Sequence, residues 1–143
     1  MNPEPIYAAL FAKVKDAPGI VYATRRVKLW SDVPEAHQPA LIQEQAGIGV
    51  QHQGPGFPPK WTLAADLALY VNAGNDQEAV PVITLNNLIS AVCAALAPAG
   101  DQERQTLNGL VFDCRVNGKI EISEGGSLGP QAVAVIPVEI VTA

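Results

Sequence analysis

The chain is poor in the residue types that carry chemistry. Its 143 residues include two cysteines, two histidines and one methionine. Cys93 sits in an apolar helical run and Cys114 in a strand, so both read as small buried hydrophobes rather than the staples of a secreted scaffold. Charge is scarce too: charged residues make up 16%, and nine Lys or Arg stand against fourteen Asp or Glu, a net charge of −5. A protein that grips nucleic acid through phosphates needs clustered cations, and the one basic cluster, Arg25-Arg26 with Lys28, is too short for that. No apolar run approaches the length that crosses a bilayer. The N-terminus MNPEPIYAALFAKVKDA lacks the basic and apolar regions of a signal peptide, so synthesis and residence in the cytoplasm are expected.

What is present is scaffold. Apolar residues reach 48%, enough for a globular core, and one domain spanning residues 1–143 is the expectation. So little charge suits a subunit that hides part of its surface against partners, although a small enzyme has similar composition. Tyr7, Leu10, Phe11 and Val14 fall at helical spacing within 6–16, with Glu4 near the positive end of the dipole and Pro18-Gly19 as the stop. Residues 20–30 read as strand-like, 31–39 as a polar connection, 40–46 as a strand and 47–59 as a long mobile loop rich in Gly and Pro. Residues 60–72 form the longest strand, with Trp61, Leu63, Ala65, Leu67, Leu69 and Val71 on one face. Thr84 is the predicted N-cap of a second helix carrying Leu85, Leu88, Ile89, Val92 and Leu96, ended by Pro98 and Gly100.

The last third predicts a C-terminal β-meander. A strand over 110–116 turns at Asn117-Gly118, where both residues tolerate positive φ, into 119–123, and the Gly125-Gly126-Ser127 loop leads to 131–141. The expected fold is α+β: an antiparallel or mixed sheet with two helices packed on one face.

Candidate chemistry is weak at every position. His37 and His52 lie in loops with no second ligand at metal spacing, so they read as exposed loop histidines. Gly47, Gly49 and Gly54 miss the spacing of a phosphate cradle, and no helix follows them. Asp113 and Glu121, with Arg115 and Lys119 on the same side of the hairpin, read as a surface charge ladder rather than an acid–base pair. No catalytic residue, metal or cofactor is predicted. Two features favour interaction. The strand AVAVIPVEIV is apolar on both faces, which suits cover by helices on one and by a neighbouring subunit on the other, with Pro137 at an edge or bulge; burial within the monomer explains it equally. Phe57 in the long loop suits an interface, with a tucked-in loop as the alternative.

These strings resemble a known family. The N-terminal helix, Pro39-Ala40-Leu41, Lys60-Trp61-Thr62-Leu63 leading to Tyr70-Val71, Leu85-Asn86-Asn87-Leu88, residues 105–111 (QTLNGLV), Ile120-Glu121-Ile122 and residues 131–137 (QAVAVIP) are similar to the tail terminator, or tail completion, proteins of long-tailed bacteriophages, the lambda-like minor tail protein U group. The likeness spans most of the chain and contains no catalytic signature; Asn108 departs from a glycine expected in its turn. It implies a structural protein of phage or prophage that caps the head-proximal end of the tail tube as a ring, expected to be hexameric, stops polymerisation and offers a surface to the head-tail connector protein. Implied partners are further copies of itself, monomeric when free, the tail tube protein and the connector, with DNA passing an acidic lumen without specific binding. Gln51, His52, Gln53 and Phe57 of one loop and Glu124, Ser127 and Leu128 of another are the residues expected at subunit or tube contacts. A neck or head-completion connector is the rival from the same kind of particle. A small α+β ligand-binding domain is the rival from another class, and would need polar residues in a pocket between helix and sheet.

Overall fold

The computed structural model describes residues 1–99 and 103–142. Gly100, read above as ending the second helix, lies outside the described residues. The order is α1 (Glu4–Val14), β1 (Tyr22–Thr24), β2 (Ala40–Gln51), β3 (Lys60–Asn72), α2 (Pro81–Ala95), β4 (Asp113–Val116), β5 (Glu121–Glu124) and β6 (Gln131–Val141). The α+β expectation holds: six strands form a mixed sheet in the order β1-β2-β3-β6-β4, with β5 also paired to β6. The β1–β2 pair is parallel and the others antiparallel.

Both helices cover one face. Ile6, Tyr7, Leu10 and Val14 of α1 and Leu85, Leu88 and Val92 of α2 share a buried core with Leu41, the odd-numbered residues of β3 and the even-numbered residues of β6. The predicted inward side of β3 is correct, and Leu63, Leu67 and Leu69 are fully buried, each side chain contributing about 1.5–3 kcal/mol. Tyr7 extends through this layer to donate its hydroxyl to the Ala64 carbonyl at 2.9 Å. Gln43 of β2 returns an amide hydrogen bond to the Tyr7 carbonyl at 2.9 Å, fixing α1 against the sheet.

Several local expectations are corrected. Pro81, not a cap at Thr84, opens α2: its fixed φ suits the first helical position and its missing N–H costs nothing there, so Thr84 falls inside the helix. Of the strand-like segment 20–30, only Tyr22–Thr24 pairs. The supposed loop at 47–59 is shorter, because β2 continues to Gln51 through a bulge between Gln45 and Ile48. The extra residue there, accommodated at Ala46-Gly47, changes the alternation so that Ile48 and Val50 point to the helix side, opposite Leu63 and Trp61.

The Asn117-Gly118 hairpin does not form. β4 pairs with Val138–Val141 and β5 with Ala132–Val135, so the two lie end to end along the same edge of β6 rather than against each other. The interruption faces Pro137, which has no N–H to give a neighbouring strand. Asn117 donates its backbone N–H to the Pro137 carbonyl at 3.1 Å. Gly118, at φ +122°, crosses the ring where a Cβ would stand 3.1 Å from Pro137 Cγ. Pro137 is therefore in an interior strand, at the gap in its partner. The β5–β6 hairpin, through Gly125–Pro130, is the part of the meander that remains.

Candidate functional site

The other face of the sheet is covered at one end only. The connection through Trp30 and Val33 packs there on Ala40, Ile42 and Tyr70. Tyr70 donates its hydroxyl to the Lys28 carbonyl at 2.6 Å, and Gln131 donates an amide hydrogen to the Trp30 carbonyl at 3.1 Å. Burial, and secondarily the charge of Glu44, raises the Tyr70 phenol above its ordinary pKa. Beyond that strap the sheet is half-exposed: Thr62, Ala64 and Asp66 of β3 lie beside Val135, Pro137, Glu139 and Val141 of β6. The second face of the last strand is thus left open by the chain itself, where cover by a neighbour or by the monomer was expected.

The charge on this open face is mostly acidic. Glu44 stands opposite Asp66, and Asp113, Glu121 and Glu139 follow toward the β4–β5 edge. Arg115 lies between two of them, 3.9 Å from Asp113 and 3.8 Å from Glu139, and Lys119 is 3.7 Å from Glu121. Asp113 and Glu121 do not meet across a hairpin, since β4 and β5 are collinear. The surface-ladder reading of these charges holds, with Glu139 as the additional member. Such exposed pairs are worth about 0–1 kcal/mol each, so they shape the field of the face more than its stability.

The seven predicted contact residues fall into two groups that the sheet keeps apart. Gln51 ends β2 opposite Lys60, and His52, Gln53 and Phe57 follow in the exposed connection to β3. Glu124 ends β5 opposite Ala132, while Ser127 and Leu128 form a single turn before β6, Leu128 half-buried. The β3–β6 ladder from Thr62–Val141 to Asn72–Gln131 separates them, about 33 Å at roughly 3.3 Å per residue. One group is the exposed tip of the β2–β3 hairpin, the arm; the other is the opposite end of the sheet.

Neither thiol is activated as a nucleophile by its surroundings: Cys114 is buried and Cys93 is half-exposed. Burial, with a smaller contribution from Asp113, pushes Cys114 up to about 12, and burial also raises Cys93. His37 is exposed and stacks on Tyr22 with ring centroids 5.2 Å apart; His52 is exposed in the arm. Among the described residues no three metal-binding side chains gather, and no helix is long and apolar enough to cross a membrane. Core residues fill the space between helices and sheet. A cleft of about 420 Å³ lies instead at the sheet end among Ala73–Gln77, Ala79, Pro81, Gly129 and Pro130, with Asp76 as the single carboxylate among these residues.

The residues missed by the sequence reading are exposed apolar ones. Ile48 and Val50 were assigned to a loop, and Val80 and Ile83 at the start of α2 were passed over. A detectable signal lay in the long intervals without any charge, at 45–59 and 79–99, which contain these four residues and Phe57.

The sequence matches no protein-family profile and no curated protein. Solved structures share its fold. One, known only by a sequence identifier, is 14% identical over 100% of this chain and 97% of that one, with a TM-score of 0.59. Another, a chain from the virion of a native gene transfer agent particle, is 9% identical over 95% of this chain and 92% of that one, with a TM-score of 0.56. At these identities the likeness is one of fold, carried along nearly the whole length of each chain.

Proposed function

We propose that this chain is a structural subunit of a phage-like virion and, more specifically, a tail terminator. The observation that carries the reading is the fold shared along 95% of the chain with a component of a gene transfer agent virion. The tail-terminator resemblance in the sequence agrees with it. So does a surface that offers extended faces and an exposed β2–β3 arm rather than a convergent set of reactive groups. In this reading the subunits close a ring, expected to be hexameric, on the head-proximal end of the tail tube. Closure uses two different patches repeated by rotation, so a complete ring leaves no free end and the tube accepts no further subunits. The open sheet face, with Glu44, Asp66, Asp113, Glu121 and Glu139, suits the lumen: its negative potential repels phosphates and lets DNA pass without sticking. The connector binds the opposite rim.

Electron microscopy of particles made after deletion of this gene tests the proposal. Overlong tails detached from filled heads are the expected result. Tails of normal length that fail to join heads reassign the chain to the neck. Normal particles overturn a role in tail assembly.

A further inference from the structure

Two surface segments of this chain carry no charged side chain. One is the arm, from Gln45 to Pro59; the other runs from Ala79 to Ala99 and contains all of α2. Exposed helices ordinarily place charge on their outer face. α2 instead presents Ile83, Asn86, Asn87, Ser90 and Ala94 to solvent. Large apolar side chains stand out on both segments. Phe57 is 68% exposed, Ile83 60%, Val80 51%, Val50 48% and Ile48 36%. The arm therefore does not cover its own helix.

We infer that the arm of one copy lies along the outward face of α2 of the next copy, and that this contact joins neighbours in the ring. The inference rests on the ring reading above and supplies its two patches. A second copy is the occupant because of charge. Two bodies of net charge −5 repel wherever their carboxylates meet. A partner of opposite charge would be matched by complementary charges, whereas an identical partner is best met where neither surface carries any. The bulge at Ala46-Gly47 contributes by aiming Ile48 and Val50 to the helix side of the sheet, where both stay exposed. The lengths agree as well. The 15 residues of α2 make a face of about 22 Å at 1.5 Å per residue. The ladder from Ile48 to Gln51 extends about 10 Å over three steps, which fits within that face. Arm and helix face are different surfaces, so the contact is head-to-tail and closes by rotation.

Cysteine pairs test the contact directly. On a Cys93→Ser background, with Cys114 buried and unreactive, the deletion is complemented with Val50→Cys and Ile83→Cys chains, separately and together, and the assembled tails are oxidised. Both positions are exposed, so the fold is retained. The mixture is expected to give several-fold more linked dimer than either chain alone, and a chain carrying both changes a ladder that ends in a closed ring. No linked dimer, or equal yields from the separate chains, overturns the inference. Particle assembly separates it from the terminator reading. With the deletion complemented by Ile83→Lys, overlong tails support the arm–helix contact. Normal tails overturn it and leave the terminator standing. A deletion that leaves particles unchanged removes both.

Discussion

The exit from α1 gives a sharp energetic prediction because one glycine there lies directly against a core leucine of α2. Gly19 follows Pro18 at φ +95°, and a Cβ added to it would lie 2.8 Å from Leu88 Cδ2. Leu88 is 2% exposed in the middle of the core, so it has little room to yield. Gly19→Ala meets two costs. Holding a non-glycine residue at that φ costs about 1–3 kcal/mol, and forcing a methyl into packed Leu88 costs about 1–3 kcal/mol more. The expected loss is about 2–6 kcal/mol, which at roughly 3–5 °C per kcal/mol lowers Tm by ~6 °C or more. Urea unfolding followed by far-UV circular dichroism measures it. The two costs separate in a cycle with Leu88→Ala, which alone loses about 2–5 kcal/mol. With Leu88 truncated, the clash disappears while the backbone strain remains. Gly19→Ala should therefore cost at least ~1 kcal/mol less in that background. Strictly additive losses, or a single-variant loss below about 0.5 kcal/mol, refute the close approach of the α1 exit to α2.

Three further outcomes follow from the same geometry. Tyr7→Phe removes the donor to the Ala64 carbonyl inside the helix–sheet layer and should destabilise by about 1–3 kcal/mol in chemical unfolding; an unchanged midpoint would contradict that bond. A thiol reagent at pH 8 should label Cys93 before Cys114, whose pKa is pushed up to about 12, and Cys114 labelling should track global unfolding; labelling in reverse order contradicts the placement. The paired oxygens of Glu4 accept from Arg25 at 2.7 and 2.8 Å, and this hydrogen bond lowers the Glu4 pKa below 4.5. A depressed carboxylate gives stability that is present above pH 4.5 and lost as pH falls through its folded value. Acid titration of Glu4→Gln should therefore show a shallower fall in that window than the parent, and parallel curves would refute the linkage.

Local pattern carried much of the architecture. The alternation from Trp61 to Val71 identified the inward face of β3, the spacing of Leu85, Leu88 and Val92 gave the buried stripe of α2, and Val133 and Val135 were correctly set apart from Ala134 and Ile136. Patterns of period two and near four report which side of an element faces the core, and that needs no partner to be known. Failures came where a local signal competed with a distant residue. Asn117-Gly118 has the chemistry of a hairpin, but Pro137 decided the outcome by denying the edge strand a donor in its middle. Thr84 has the chemistry of a cap, but Pro81 three residues earlier had already opened the helix.

By itself the sequence determined the α+β class, the inward faces and the poverty of reactive groups, because composition and periodicity are properties of short segments. It also held the charge-free intervals from which the arm and the α2 face are now read. Only the tertiary structure decided that the two predicted contact loops lie at opposite ends of the sheet, that β2 runs on through a bulge into an arm, and that the second face of β6 stays open. Each of these depends on register between strands distant in sequence. A shift of one residue turns an entire strand over, and no local preference can record that choice.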